Sequence, residues 1–158
     1  MLTLLLLMVS VAPTLQAGNS PVAAKTVRKQ LAAEYAQIQK GFRRNDPSPW
    51  IQKLSSDFQL TLFNGEKKDR EWVINYVRNN AKTFRIRRLT MTIKDLEIRE
   101  DAVTAIVEQK SVRTFKDDQG QLHRLDVGAL QRETWEEASA GWRLKAVQEW
   151  KILYVRKN

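Results

Sequence analysis

Apolar residues in the first half of the chain recur with the period of a helix. From residue 25 to about 44 they are spaced three and four apart, which predicts an amphipathic helix with one buried face. Its apolar positions are Val27, Leu31, Tyr35, Ile38 and Phe42. A short second helix is predicted from Ser48, its N-cap, with Pro49 at the first helical position. A third helix, over about residues 70–81, follows Asp69 as its cap.

Strand patterns occupy the rest of the chain. Residues 57–63 alternate apolar and polar side chains, and Asn64-Gly65 ends this strand with a strong turn signal. A less regular alternation follows over residues 84–98. Three strands longer than the usual length of about 5–6 residues come last. They run over about residues 102–115, 121–137 and 142–154.

The order of these elements predicts an α+β fold. Helices that alternate with a strand and then give way to a run of strands favour helices gathered on one face of an antiparallel sheet. Long meandering strands curl into a half-barrel, and helices packed on its concave side can enclose a pocket. We therefore expect any small-molecule site on the concave face of the last three strands.

The first residues of the chain are uncharged and largely apolar. An apolar run from Leu2 to Val11 ends in a small-residue region at Ala17, and it is shorter than the about 20 residues of a spanning helix. This pattern predicts a signal peptide over residues 1–17 and a periplasmic or secreted protein with no membrane span after cleavage. An upstream start, an uncleaved anchor and a hydrophobic N-terminal helix are the alternatives. A flexible leader over 18–24 and one domain over 25–158 are expected to follow.

Composition removes several classes of chemistry. With 0 cysteines, disulfides, thiol catalysis and thiolate metal sites are excluded, and a single histidine argues against a transition-metal site. No cofactor and no metal are predicted. The net charge of +9 favours anionic surroundings, such as an acidic envelope polymer or an acidic ligand. The basic residues are scattered and are not interleaved with aromatic residues, so nucleic acid is not an expected partner.

Several local patterns between residues 25 and 155 fit one known family. They are the helix end Arg44-Asn45-Asp46, the strand entry Ser56-Asp57-Phe58, the helix with Trp72 and Tyr76, the segment Leu130–Trp135, and Gly141-Trp142-Arg143-Leu144 before Glu149. Together they resemble the nuclear transport factor 2-like superfamily, specifically the SnoaL-like domain of a small exported bacterial protein. The resemblance implies a cone-shaped, strongly curved antiparallel sheet with three helices over its concave face, and a homodimer through the sheet. Members include isomerases, polyketide cyclases, dehydratases and non-catalytic domains, so function stays open.

Candidate ligand-binding residues come from the inward helix faces and from the long strands. Tyr35 and Tyr76 lie on helix faces that are predicted to look inward. If Trp135 and Trp142 face the helices, alternation places Gln131, Glu133 and Gln148 in the pocket. The opposite parity offers Asp126, Arg132 and Glu149, with Arg143 at the edge. The sequence leaves both open, and the candidate set is Tyr35, Tyr76, Arg132, Gln148 and Glu149 for a small apolar or anionic ligand.

Catalytic candidates are weak. In relatives that isomerise steroids, the catalytic carboxylate falls near Leu62, which cannot move a proton. His123 and Asp126 could form an acid–base pair, but an odd offset along a strand puts them on opposite faces unless a bulge, for example at Gly128, intervenes. We therefore predict an exported ligand-binding or accessory domain without evident catalytic residues. The alternatives are a cofactor-free cyclase, dehydratase or isomerase, and a basic surface protein that binds an acidic polymer.

Overall fold

The computed structural model describes residues 21–99 and 102–157, which form three helices and six strands. The helices are α1 (Pro21–Arg43), α2 (Ser48–Ile51) and α3 (Arg70–Thr83). The strands are β1 (Leu54–Thr61), β2 (Lys67–Asp69), β3 (Arg85–Ile98), β4 (Val103–Lys116), β5 (Leu122–Ala138) and β6 (Gly141–Lys157). The predicted signal peptide, residues 1–17, lies outside the described residues. None of the described helices is long and apolar enough to cross a membrane.

The six strands form one sheet in the order β2-β1-β6-β5-β4-β3, and the predicted α+β fold with a cone-like curved sheet is confirmed. The sheet is mixed rather than wholly antiparallel, because β1 pairs with β6 in parallel, with Leu60 beside Val147. Hairpins join β3 through β6 and set their antiparallel directions. β1 is far from β6 in sequence, so no hairpin dictates the direction of that pair.

The core lies between the helices and one face of the long strands. Buried residues alternate along β4 at Val103, Ala105 and Val107, as expected where a strand buries one side. The other members of this core include Leu31, Tyr35, Ile38, Phe58, Val73, Trp135, Trp142 and Leu144. The amphipathic pattern predicted for α1 is therefore the face that packs on the sheet.

The boundaries of α1, α2 and the first strand differ from prediction. α1 begins at Pro21, inside the predicted leader, where proline suits a first helical turn. The N-cap of α2 is Pro47 rather than Ser48, and no side chain caps it. The first strand begins at Leu54, not at residue 57, so α2 is shorter than predicted. The cap of α3 is as predicted, since the Asp69 carboxylate accepts a hydrogen bond from the Trp72 backbone N–H at 2.8 Å.

Candidate ligand-binding site

A cavity of about 260 Å³ lies between α1, α3 and the inner face of the sheet. Most of its wall is apolar, which suits the body of a small organic molecule. The apolar wall includes Phe42, Trp50, Leu60, Val77, Phe84 and Met91. Tyr76 also lines the cavity and is 51% exposed, stacked on Trp72 with ring centroids 4.9 Å apart.

Four polar side chains line the cavity from the strands. Gln109 and Arg113 project from β4, Gln131 from β5 and Glu149 from β6. Gln131 is the neighbour of Glu149 across the β5–β6 ladder. The sheet side of the cavity therefore contributes two amides, one guanidinium and one carboxyl group, and the amides of Asn45 and Asn80 line the cavity from the helical side.

Glu149 is a partly buried carboxyl group on this surface. Burial raises its pKa, and a hydrogen bond at 3.3 Å from the Phe63 backbone N–H to Oε2 acts in the opposite direction. A carboxyl group in an apolar cavity with a raised pKa is able to hold or transfer a proton nearer neutral pH than an exposed glutamate.

Arg113 is the cationic counterpart. Its Nε–H donates a hydrogen bond at 3.1 Å to the hydroxyl of Ser111, a buried residue two positions earlier on β4. Burial lowers the pKa of Arg113, and the neighbouring Tyr76 acts weakly against this shift. A partly buried arginine remains charged at neutral pH because its ordinary pKa is far above 7.

A buried hydrogen-bond network lies next to the cavity. Glu133 Oε2 accepts hydrogen bonds from the Tyr35 hydroxyl at 2.6 Å and from Trp135 Nε1 at 2.9 Å. Gln131 Nε2 donates to Glu133 Oε1 at 2.7 Å, and Gln131 itself reaches the cavity. Burial raises the pKa of the Glu133 carboxyl, although the three donors oppose that shift. The network joins α1 to β5 and positions the cavity amide.

The strand face that lines the cavity combines parts of both sequence alternatives. Gln131 and Glu133 share a face with Trp135, as one alternative predicts. On β6, however, the register shifts between Leu144 and Ala146, opposite Trp135 and Thr134. The extra residue moves Val147 and then Glu149 onto the inner face, in place of Gln148.

The structure separates the five predicted ligand-binding residues. Tyr76 and Glu149 line the cavity. Tyr35 is buried in the core, bound to Glu133, and does not reach the cavity wall. Arg132 and Gln148 are paired neighbours on the exposed outer face, where the Arg132 guanidinium lies 5.6 Å from the Trp150 ring centroid. Their predicted ligand contacts would require a second site on that face.

Gln109 and Arg113 are cavity residues that the sequence interpretation missed. Both share parity with the buried Val103, Ala105 and Val107 on β4, so the alternation of that strand contained the signal.

His123 and Asp126 do not pair. His123 Nε2 lies 2.6 Å from Asp117 Oδ2 across the β4–β5 turn, and Asp126 binds Arg124 at 2.8 Å. The odd offset keeps the two residues on opposite faces, and the register of β4 with β5 is continuous across this stretch. Neither residue lines the cavity, so the weak acid–base pair considered from the sequence is not formed.

A second, polar cleft opens on the surface near the start of β1. Ser55, Ser56, Arg70 and Arg143 line it, together with the carboxylate of Glu136. Arg143 donates to the Gln52 backbone carbonyl, while Arg70 Nε is buried without a hydrogen-bond partner in the described chain. Its lining is polar with little apolar wall, so the first cavity is the better candidate for an organic ligand.

A curved sheet with helices over one face and a cavity between them defines the class of cone-shaped α+β pocket domains. The chain matches no known protein-family profile, and no curated protein matches it in sequence. Many solved structures nevertheless share its architecture. The chain has the nuclear transport factor 2-like fold, which confirms the fold that the resemblance implied.

Three solved structures illustrate the similarity. A conserved protein from Planctomyces limnophilus superposes with a TM-score of 0.68 at 12% identity, over 85% of this chain and 99% of that chain. A nuclear transport factor 2-like protein from Cytophaga hutchinsonii gives 0.62 at 15% identity, over 79% and 98%. A type 2 hexachlorocyclohexane dehydrochlorinase gives 0.63 at 12% identity, over 88% and 93%. Identities this low show a shared fold and leave the activity to the site.

Proposed function

We propose that this protein is a small-ligand-binding or accessory domain that holds its ligand in the cavity beneath α3. One observation carries the proposal: a cavity of about 260 Å³ has a largely apolar wall and a few polar groups on its sheet side. Apolar walls provide most of the binding free energy, while a small number of polar groups orient the ligand. Binding requires no further chemistry from the chain.

A cofactor-free acid–base enzyme is the second candidate. Glu149 supports it, because a carboxyl group with a raised pKa in an apolar cavity is a typical general acid or base. The amide of Gln131 and the guanidinium of Arg113 could then polarise a substrate oxygen. Turnover that Glu149→Gln abolishes, while ligand affinity is retained, would favour the enzyme over the binding domain.

The cavity proposal can be tested by filling the cavity from α3. Ala81 lines the cavity, so a tryptophan in its place should occupy the ligand space. Ala36→Trp is the matched control, since Ala36 is exposed on α1. With 1-octanol as an apolar probe in isothermal titration calorimetry, Ala81→Trp should lose at least about tenfold in affinity, or about 1.4 kcal/mol, and Ala36→Trp should not. Equal affinity in both variants would place the binding elsewhere.

We also propose export, with cleavage after Ala17 and a SnoaL-like domain released into the periplasm or medium. The support is the uncharged apolar run of the first residues. Expression of the full chain in a Gram-negative host, followed by cell fractionation and intact mass measurement, should yield a periplasmic or secreted product that begins at Gly18. A cytoplasmic product that retains Met1 would reject the proposal.

Homodimerisation through the sheet is a further part of the proposal. The pairing of β1 with β6 ends at Gln148, so residues 149–157 have no strand on that side in the described chain. Trp150, Ile152 and Val155 are exposed on this stretch, which provides apolar surface for a second copy. Sedimentation should give twice the chain mass, and Ile152→Lys should give a monomer, whereas Ala36→Lys should remain dimeric.

The basic surface is the basis of the remaining alternative, binding to an acidic envelope polymer. The net charge of +9 supports it. Retention on a polyanion column that falls steeply with salt, and that Ala81→Trp leaves unchanged, would favour this alternative.

A further inference from the structure

We infer that the cavity selects an anionic amphiphile, with an apolar body against the helices and one carboxylate-type group on the guanidinium of Arg113. This inference rests on the proposed function, because it specifies the chemical class of the ligand for the same cavity. Two observations support it: Arg113 lines the cavity, and the terminal nitrogens of its guanidinium have no hydrogen-bond partner in the described chain.

Arg113 has unused hydrogen-bonding capacity in the cavity wall. Its Nε–H binds Ser111 Oγ, and within the described chain its two terminal nitrogens have no hydrogen-bond partner. No ion pair joins its guanidinium to a carboxylate of the described residues. The Ser111 bond fixes one side of the guanidinium and leaves the terminal nitrogens for a ligand.

The surroundings of Arg113 are apolar. Ile86 is its cross-strand neighbour on β3, Leu125 is its neighbour on β5, and Phe84 lines the same cavity. Burial accordingly lowers the pKa of Arg113, with Tyr76 as the one titratable group acting on it. A charge in such surroundings is costly unless an opposite charge compensates it, so an anion gains more here than at an exposed arginine.

Glu149 does not compensate this charge. On the inner face it lies in the row of Gln131 and Val107, whereas Arg113 lies further along β4, beyond Ser111. The carboxyl group and the guanidinium therefore occupy different parts of the cavity wall. A ligand with a single anionic end would place that end at Arg113 and its apolar part against the aromatic and aliphatic wall.

The planar geometry of a guanidinium favours an oxyanion as the anionic group of the ligand. Its terminal N–H groups form a planar fork that matches a carboxylate in a bidentate pair. Such charge-assisted bonds are shorter and stronger than neutral hydrogen bonds. The apolar wall in turn disfavours a small, fully hydrated anion such as acetate or inorganic phosphate.

Three probes of equal chain length test the inference: octanoate, 1-octanol and octylammonium, each titrated into the purified chain by calorimetry near pH 7.5. We expect octanoate to bind at least about tenfold more tightly than 1-octanol, and octylammonium to bind more weakly than 1-octanol. Acetate should show no measurable binding at the same concentration. Equal affinity for octanoate and 1-octanol would overturn the inference.

Substitution identifies the residue. Arg113→Gln should bring the affinity ratio of octanoate to 1-octanol close to one, because it removes the positive charge that distinguishes the two probes. Arg132→Gln is the matched control, because it removes the same charge from the exposed outer face and should keep the wild-type ratio. If Arg132→Gln lowered the ratio as much as Arg113→Gln, general surface charge would explain the preference and the inference would fail.

Two more variants, Arg113→Lys and Ala81→Trp, distinguish a failure of this inference from a failure of the proposed function. Arg113→Lys retains the cation and should keep part of the preference, and thermal unfolding by circular dichroism checks that each variant folds. If Arg113→Gln does not fold, the wild-type ratios and Arg113→Lys decide. Binding of 1-octanol that Ala81→Trp blocks, with no preference for octanoate, would reject the anionic class and leave the proposed function standing. No binding of any probe would reject both.

Discussion

Glu133 illustrates how one residue can connect core and cavity. Its side chain is 1% exposed, yet three donors reach its two carboxylate oxygens from Tyr35, Gln131 and Trp135. Removing any one donor would leave a buried acceptor less well satisfied, at a cost of about 1–3 kcal/mol. The same network holds the side chain of Gln131, which lines the cavity. The polar atoms of the core therefore set the geometry of the site.

The raised pKa of Glu133 predicts a pH dependence of stability. A carboxyl group whose folded pKa lies above its unfolded value favours folding when protonated, so its contribution is complete below the ordinary value of 4.5 and is lost as pH rises through the raised folded value. Glu133→Gln removes the titration. The free energy of unfolding of this variant should therefore rise relative to wild type as the pH increases above 4.5 and through the raised folded pKa of Glu133.

Urea denaturation at several pH values, followed by tryptophan fluorescence, measures this difference. Glu137→Gln is the control, because Glu137 is exposed on the same strand. Its difference from wild type should stay constant over the same range. A constant difference for Glu133→Gln as well would mean that Glu133 does not titrate in that interval.

Trp135 and Trp142 anchor the core. Trp135 is 0% exposed and meets the Tyr35 ring edge-on at 5.7 Å, while Trp142 is buried at the start of β6. Either residue changed to alanine should lower the free energy of unfolding by about 3–5 kcal/mol, because the change leaves a cavity. Leu122→Ala is the control, because Leu122 is 61% exposed at the start of β5, and it should cost far less. A loss below about 1 kcal/mol for Trp135→Ala in denaturant would contradict the assigned core.

At the scale of elements, α3 covers the cavity and depends on its first turn. The Asp69 side chain caps it through the Trp72 N–H, and Val73 and Val77 pack toward the cavity. Asp69→Ala should destabilise the protein by about 1 kcal/mol and increase amide hydrogen exchange selectively in α3. Asp118→Ala, in the exposed β4–β5 turn, should do neither. Uniformly faster exchange along the chain would mean that α3 does not open independently.

The register shift in β6 is the second feature at the scale of elements that determines which side chains line the cavity. With unbroken alternation from Leu144, residues 146, 148 and 150 would share its face. The extra residue instead directs Val147 and Glu149 inward and leaves Gln148 and Trp150 exposed. A bulge of one residue thus determines that the cavity contains a carboxyl group rather than an amide at this point.

At the scale of the whole molecule, the cavity holds titratable groups of opposite character. They are Arg113, Tyr76 and Glu149. Burial raises the pKa of Glu149, so its ionisation lies above the usual glutamate range. Once ionised, the Glu149 carboxylate would repel an anion bound at Arg113 across the cavity.

Affinity for an anion should therefore fall as pH rises through the ionisation of Glu149. Octanesulfonate is a suitable probe, because its own charge does not change in this range. Its affinity should be higher at low pH for wild type, and Glu149→Gln should make the affinity independent of pH, with Glu137→Gln behaving like wild type. An unchanged pH profile in Glu149→Gln would assign the dependence to another group.

The sequence by itself determined the order and type of the long elements. Helical spacing in α1, the Asp69 cap and the long strands all appear in the structure, because these signals are local and agree with the tertiary packing. The order of the elements and the local patterns quoted for the family resemblance together predicted the nuclear transport factor 2-like fold. The ends of elements next to turns were predicted less accurately than their centres. The short strand β2 was not predicted.

The tertiary structure alone decided which polar residues meet. The parallel pairing of β1 with β6 and the β6 bulge depend on strands far apart in sequence, so no local pattern encodes them. Both faces of the long strands carry mixed polar and apolar residues, and alternation could not rank Arg113 above Arg132. Only packing showed that Arg113 faces an apolar cavity, whereas Arg132 faces outward over Trp150. Burial gives these two chemically identical side chains different electrostatic surroundings, and burial is a property of the folded chain.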